Sequence, residues 1–229
     1  MITRILAIYS AILTTILALS GFAPARTAAF KSITVQRLNI IEPDGTLRMV
    51  IADKALFPGI IIKGVEHPHP NRHTAGMLFF NDEGTENGGL TFGGSKDAKG
   101  EMSSSGHLSF DEYEQDQVIT IGATQQGIHR RAAFTLVDDP DFSIAELIAV
   151  TDRVKDRSEE EKRNEIAKFM STHGQPHQRV YIGKADDHSV ALRLKDPQGR
   201  DRIVIEVQRD GSPSLRFLDE SGKQTAHLP

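Results

Sequence analysis

The sequence predicts an all-β body: an antiparallel meander curling into an open barrel or a sandwich, with a helical insertion and an N-terminal transmembrane or signal helix. Three observations carry that expectation. Apolar residues from Ser32 onward recur mainly at every second position, the period of a strand with one buried and one wet face. The runs are punctuated by Gly, Pro and Asp in turn-forming combinations. The long uncharged stretch Ile5 to Ala23 stands at the N terminus behind Arg4.

Residues 1–25 read as an export segment. As a helix, Ile5 to Ala23 would span roughly 28 Å, just long enough to cross a bilayer. Ala23-Pro24-Ala25 is a small-x-small site, and Ile5 to Leu19 has the length of a signal-peptide core, so a signal anchor and a cleaved signal peptide both stand. The flanking charges, Arg4 against Arg26 and Lys31, do not set an orientation. Both readings deliver the body to the cell envelope, as a single-pass protein with a periplasmic or extracellular body or as a secreted one.

Residues 26–142 form the first β-rich part. Its turn signals recur: EPDGTLRMVIA (Glu42 to Ala52) matches KDPQGRDRIVIEV (Lys195 to Val207) in having an acid, a Gly, then an Arg three residues after the Gly and an apolar run. Asp or Asn closes such a turn through its own backbone and Gly takes the positive φ. Residues 143–173 are the helical insertion, because Ser143 with Glu146 and Ser158 with Glu161 have capping-box spacing and Ile166, Phe169 and Met170 make a short apolar stripe. The intervening DRVKDRSEEEKR carries ten charges in twelve residues, a solvated helical face. Residues 174–229 complete the body as hairpin repeats. Leu192 and Leu194, then Ile203, Ile205 and Val207, then Leu215 and Phe217 alternate with polar neighbours, and Gly199 to Gly222 gives a 23-residue step. A solenoid is the alternative architecture.

The stretches NDEGTENGGLTFGG (Asn81 to Gly94) and SSSGHLSFDEYEQDQ (Ser103 to Gln117), with the LDESGK ending, resemble a family of uncharacterised bacterial proteins that carry an N-terminal membrane segment. The resemblance covers most of residues 32–229. It implies membrane anchoring or export and no particular chemistry.

Three places could carry an activity. EHPHPNRH (Glu66 to His73) brings three imidazoles together; His67 and His69 point the same way if the segment is extended, and His73 could close a metal site. Against that, Pro68 and Pro70 mark an exposed loop, and no helix presents an HExxH pair. In NDEGTENGG, Asp82, Glu83, Glu86 and Asn87 offer oxygen ligands beside Gly-rich backbone, a ligand or partner loop whose spacing matches no EF-hand. FDEYEQDQ (Phe110 to Gln117) gathers four acids around Tyr113, which glycoside hydrolysis would require to face one another across a cleft. No GxSxG elbow, P-loop or GxGxxG fingerprint occurs.

With 27 Lys+Arg against 31 Asp+Glu, a net charge of −4 removes the electrostatic footprint of a nucleic-acid binder. Zero Cys excludes disulfides, thiol catalysis and Cys-ligated zinc. No cofactor is implied. The expected partners are the membrane, through the N-terminal segment, and a homo-oligomer or another envelope protein. The function expected is that of a non-enzymatic binding or self-assembling β module of the cell envelope; the alternative is a metal-dependent or carboxylate-based hydrolase of the envelope.

Overall fold

The computed structural model describes residues 5–6, 8–12, 14–15, 27–69 and 72–228, and the chain divides into two compact units, 1–35 and 36–229. In the first unit residues 5–6, 8–12 and 14–15 are helical and residues 27–35 form neither helix nor strand. The export segment expected over residues 1–25 lies largely outside the described residues. Among the described residues no helix is long and apolar enough to cross a membrane.

The second unit is built on β1 (Arg37–Ile41), β2 (Leu47–Ala52), β3 (Ile60–Ile62), β4 (Val65–His67), β5 (Ala75–Phe80), β6 (Glu86–Lys96), β7 (Met102–Asp111), β8 (Gln117–Gln126) and β9 (His129–Asp138). Helices α1 (Ile144–Val154) and α2 (Glu159–His173) follow, then β10 (His177–Lys184), β11 (Val190–Lys195), β12 (Asp201–Val207), β13 (Pro213–Leu218) and β14 (Gln224–Leu228). Twelve strands form one antiparallel sheet in the order β1-β2-β5-β6-β7-β8-β9-β10-β11-β12-β13-β14, and β3 pairs only with β4. The antiparallel meander is therefore present, but as a single open sheet with β1 and β14 at its edges. The expected barrel or sandwich is not formed. The reason is local: nearly every connection is a tight hairpin turn to the next strand, and the two longer insertions, β3–β4 and α1–α2, return to the sheet beside the strand they left. No connection among the described residues starts a second layer of strands comparable in size.

The turns share one hydrogen-bond pattern. At the turns that start at Glu42, Asn81, Asp97, Ala185, Asp196, Gln208 and Asp219, the first residue's N–H donates to the fifth residue's carbonyl and the fourth residue's N–H donates back to the first carbonyl. The fourth residue has positive φ each time: Gly45, Gly84, Gly100, His188, Gly199, Gly211 and Gly222. This is the type I turn with a left-handed residue that closes hairpins of right-handed twist. Acid side chains secure it in two ways. Placed first, Asp97, Asp196 and Asp219 accept from the N–H groups of the third and fifth residues, as does Asn81. Placed third, Asp44, Asp187 and Asp210 accept from the fifth. The Arg three residues past the Gly also has a fixed use: Arg48 pairs with Glu42 at 3.3 Å and Arg202 with Asp196 at 3.6 Å, each folding back to the first residue of its own turn.

The insertions cover parts of one face. The β3–β4 hairpin turns through Lys63 and Gly64, both at positive φ, and docks on the Asn81 turn, where the Lys63 N–H donates to Thr85 Oγ1 at 2.9 Å and the Gly64 N–H to the Gly84 carbonyl at 3.1 Å. Beneath it Val50, Ala52, Leu78 and Phe80 bury together with Ile61, closed by Leu47 and Phe57. Helices α1 and α2 begin at Ser143 and Ser158, each with both hydrogen bonds of a capping box, and α2 ends at Gly174. Val150 and Val154 of α1 are buried, while the edge of Phe142 meets Phe169 at 4.9 Å.

His188 is the one residue of the seven that occupies the left-handed position with a Cβ. His188→Gly should raise stability by up to about 1 kcal/mol, because the backbone strain of a left-handed L-residue disappears. At Gly222 nothing lies within 4 Å of where a Cβ would sit, so Gly222→Val should cost about 1–2 kcal/mol through the backbone alone. Chemical denaturation of both variants checks the pair. Equal and opposite shifts are not required, but a destabilised His188→Gly would contradict this reading of the turn.

Candidate functional site

The register of the sheet lines up its apolar residues. One cross-strand row runs Leu38, Ile51, Met77, Leu90, Leu108, Ile121, Phe134, Ile182, Leu192, Ile205, Leu215, Leu228, with one residue from every strand. Two residues along each strand, on the same face, a second row runs Ile40, Met49, Phe79, Gly88, Phe110, Ile119, Leu136, Val180, Leu194, Ile203, Phe217, Ala226. No charged or hydrogen-bonding side chain interrupts either. Gly88 is required where it stands: its φ is +129°, a Cβ would lie 2.4 Å from the Ser109 carbonyl, and the rings of Phe79 and Phe110 meet across it with centroids 6.1 Å apart.

Apart from Gly88, none of these residues is buried. Ile121 is 51% exposed, Ile205 48%, Phe110 45% and Leu228 57%. Together the larger side chains of this face expose on the order of 1,000 Å² of apolar surface, well above the few hundred Å² that a soluble monomer usually shows in one patch. At the middle strands a third row of small residues, Gly106, Ala123 and Ala132, adjoins the large ones, and a depression of about 540 Å³ lies between Leu90, Leu108, Ile121 and Ile182.

The opposite face is of another kind. Besides the core under the β3–β4 hairpin it carries Ser109, Thr120, Thr135 and Tyr181 in register. Farther along, Arg193 pairs with Asp201 at 2.6 Å, Arg216 with Glu206 at 2.7 Å and Lys195 with Asp201 at 3.5 Å. Val204, between Arg193 and Arg216 in register, is almost fully buried, the pattern expected when long basic side chains lay their stems over an apolar neighbour.

A cleft of about 170 Å³ opens between the β3–β4 hairpin, the start of α1 and the ends of β6 and β7. Arg72 organises it: Nη2 donates to Glu86 Oε1 at 2.6 Å, Nη1 to Glu86 Oε2 at 3.1 Å and to the Gly59 carbonyl at 2.7 Å. Glu86 reaches this position because Asn87 is an extra residue in β6, opposite the step from Phe79 to Phe80. Asp111 Oδ1 and His69 Nδ1 are both buried without a hydrogen-bond partner among the described residues. Burial pushes the Asp111 carboxyl up to about 7, with the charges of Glu86 and Asp116 adding to the rise and Arg72 opposing it. Nearby, burial raises Asp139 to about 6, helped by Asp116, Glu112 and Asp138.

The residues singled out from the sequence disperse. Asp82 is exposed and pairs with Arg48 at 2.5 Å; Glu83 accepts the Tyr113 hydroxyl at 3.0 Å; Glu86 and Asn87 have left the turn for the strand. Of the three histidines, His67 ends β4 opposite Ile60, His69 lines the cleft, and His73 lines a different depression beside Ser103 and Ser105. Among the described residues no three His, Asp or Glu side chains stand close enough to hold a metal ion. Glu86, His69 and Asp111 line the same cleft. Arg72, which holds Glu86, has no signal in the sequence beyond its place in the EHPHPNRH run, because its partner is fourteen residues away at the start of β6.

The shifted carboxyls favour an acid-side optimum of stability. Asp111 and Asp139 have raised values, so the stability they contribute is full below the ordinary aspartate range near 3.8 and is lost as pH rises through about 6 to 7. The turn aspartates act in the reverse sense. The Thr46 N–H lowers Asp44, the Ser212 N–H lowers Asp210, the Ser189 hydroxyl and N–H lower Asp187, and the Ser221 hydroxyl with the Lys223 N–H lowers Asp219. Their contribution is present above 3.8 and is lost below it. Melting temperature should therefore rise from pH 8 to about pH 5 and fall below about pH 4. Asp111→Asn should flatten the upper limb; an unchanged upper limb would show that Asp111 is ionised at neutral pH. Arg72→Ala should lower stability by about 2 kcal/mol, since it strands a half-buried Glu86 beside Asp111. Urea unfolding at pH 7 measures it.

No family model, no curated protein and no solved structure matches this chain.

Proposed function

We propose that this protein is a non-enzymatic binding module of the cell envelope that works through the apolar face of its sheet. The observation that carries the reading is the pair of apolar rows crossing all twelve strands with their side chains exposed. A face of this extent marks a surface that is covered in use. The uncharged stretch Ile5 to Ala23 supports delivery to the envelope, by anchoring or by export.

A carboxylate-based hydrolase is the second reading, and one observation favours it: Asp111, raised to about 7, lines a cleft with Glu86 and Asp116. Such chemistry needs a second, free carboxylate as base or nucleophile. Both oxygens of Glu86 are taken by Arg72, and Asp116 Oδ1 accepts the Gln117 N–H at 2.9 Å. The binding reading therefore stands ahead.

Two measurements test it. Full-length protein should fractionate with membranes, or appear outside the cytoplasm with a new N terminus near Arg26; unprocessed protein in the cytosol would remove the envelope assignment. Ile121→Asp combined with Ile205→Asp should keep the far-ultraviolet spectrum of a β-sheet and lose the crosslinked species that wild type forms in intact cells. A wild-type crosslinking pattern from the double variant would reject the apolar face as the binding surface.

A further inference from the structure

We infer that the apolar face is covered by a second copy of this chain, the two sheets stacked face to face about a two-fold axis. This rests on the binding reading above and names the partner.

The area is sufficient. The face exposes on the order of 1,000 Å² of apolar surface, and a stable interface takes about 800 Å² from each partner. Its shape also fits a sheet better than a lipid. Twelve strands at about 4.8 Å spacing make the apolar band roughly 50 Å long, whereas one acyl chain extends about 15 Å, half of a bilayer's hydrocarbon core. A chain laid on an open face would bury one side of itself and leave most of the band wet. Small-ligand sites also place a few polar groups that fix orientation. Neither row offers one.

The two rows superpose on themselves. A two-fold axis parallel to the strands near the middle of the strand order, between β8 and β9, sets the two apolar rows of one sheet over the same two rows of the other. Stacked sheets lie about 10 Å apart with side chains interdigitated, which gives the apolar face the cover it lacks in the single sheet. Because both faces are the same surface, the contact closes at two copies instead of growing.

The chain contains no Cys, so a single introduced thiol reports the contact cleanly. Ala123→Cys puts it on the apolar face near the expected axis; Thr124→Cys, the exposed neighbour, puts it on the opposite face. The full-length variants are treated in intact cells with a bis-maleimide that spans about 10 Å, the inter-sheet distance. Ala123→Cys should give a species of twice the chain mass whose linkage joins position 123 to position 123, and Thr124→Cys should remain a single chain. Adding Ile121→Asp to Ala123→Cys should reduce the crosslinked species at least tenfold while the β-sheet spectrum persists. If Ala123→Cys stays a single chain, or if Thr124→Cys crosslinks equally well, the face-to-face dimer is wrong. If Ala123→Cys links instead to a different protein, and Ile121→Asp abolishes that link, the second copy is overturned and the binding reading survives. If Ile121→Asp changes no crosslink of any kind, both fall.

Discussion

Register is the constraint on which the rest of the structure depends. In a period-two strand a slip of one residue sends every apolar side chain to the other face, so an apolar row can cross twelve strands only if every turn returns the chain in step. The repeated turn does this. Its two backbone hydrogen bonds and its one left-handed residue fix the number of residues between the paired positions, and the Asp or Asn side chain holds the closing N–H groups. In the last four hairpins the step is constant: Ile182, Ile205 and Leu228 lie 23 residues apart in the same row, as do Leu192 and Leu215, and the left-handed residues His188 and Gly211 keep the same interval. Nearer the N terminus the interval varies because strands β6 to β9 are longer, yet the row continues unbroken.

Much of this was legible in the sequence. Alternating Leu192 and Leu194 or Ile203 and Ile205 marks strands; Gly after an acid marks the turn; Ser143 with Glu146 and Ser158 with Glu161 marks the helix starts, because each of these signals is local. What could not be read was long-range. The expected barrel or sandwich assumed that alternation buries one face within the chain, whereas alternation records only that one face is apolar. Which residues align across strands depends on every turn between them. The cleft failed to appear for a similar reason: Arg72 and Glu86 meet only because an extra residue at Asn87 re-aims β6, and a bulge of this kind is written in the pairing of two strands. The three histidines illustrate the converse, since nearness in sequence placed them on a strand end, a cleft and a separate depression.

The two faces divide the chemistry. On the polar face the charges satisfy one another, Arg193, Asp201, Glu206 and Arg216 in a connected set and Arg72 with Glu86 under the hairpin. The partly exposed pairs around Arg193 and Arg216 contribute little individually, and their main effect is to make this face favourable in water, whereas the Arg72–Glu86 pair is shielded and loses more when one partner is removed. The apolar face has no such provision. The raised carboxyls of Asp111 and Asp139 belong to the polar side, where the β3–β4 hairpin and the helical insertion restrict solvent, so titration there leaves the apolar rows untouched.

The distribution of apolar residues is the strongest physical reason to regard the single sheet as incomplete. Among the described residues eleven apolar side chains are buried, and they are split between the hairpin core, the helical insertion and isolated positions such as Ala191 and Val204. The two rows hold twenty-three apolar side chains, none of them buried. Folding must repay a conformational cost of about 1–2 kcal/mol per ordered backbone residue, chiefly by removing apolar surface from water. A sheet that displays more apolar side chains than it buries draws on only the smaller part of that source. Cross-strand contacts within a row recover some of it, since neighbouring side chains shield each other at about 5 Å. The outward half of every row residue remains in water until another surface lies on it, so association and folding draw on the same residues. In the proposed dimer a substitution such as Ile121→Asp would therefore act on the contact through the face it charges, while the turns that hold the register go on specifying the sheet.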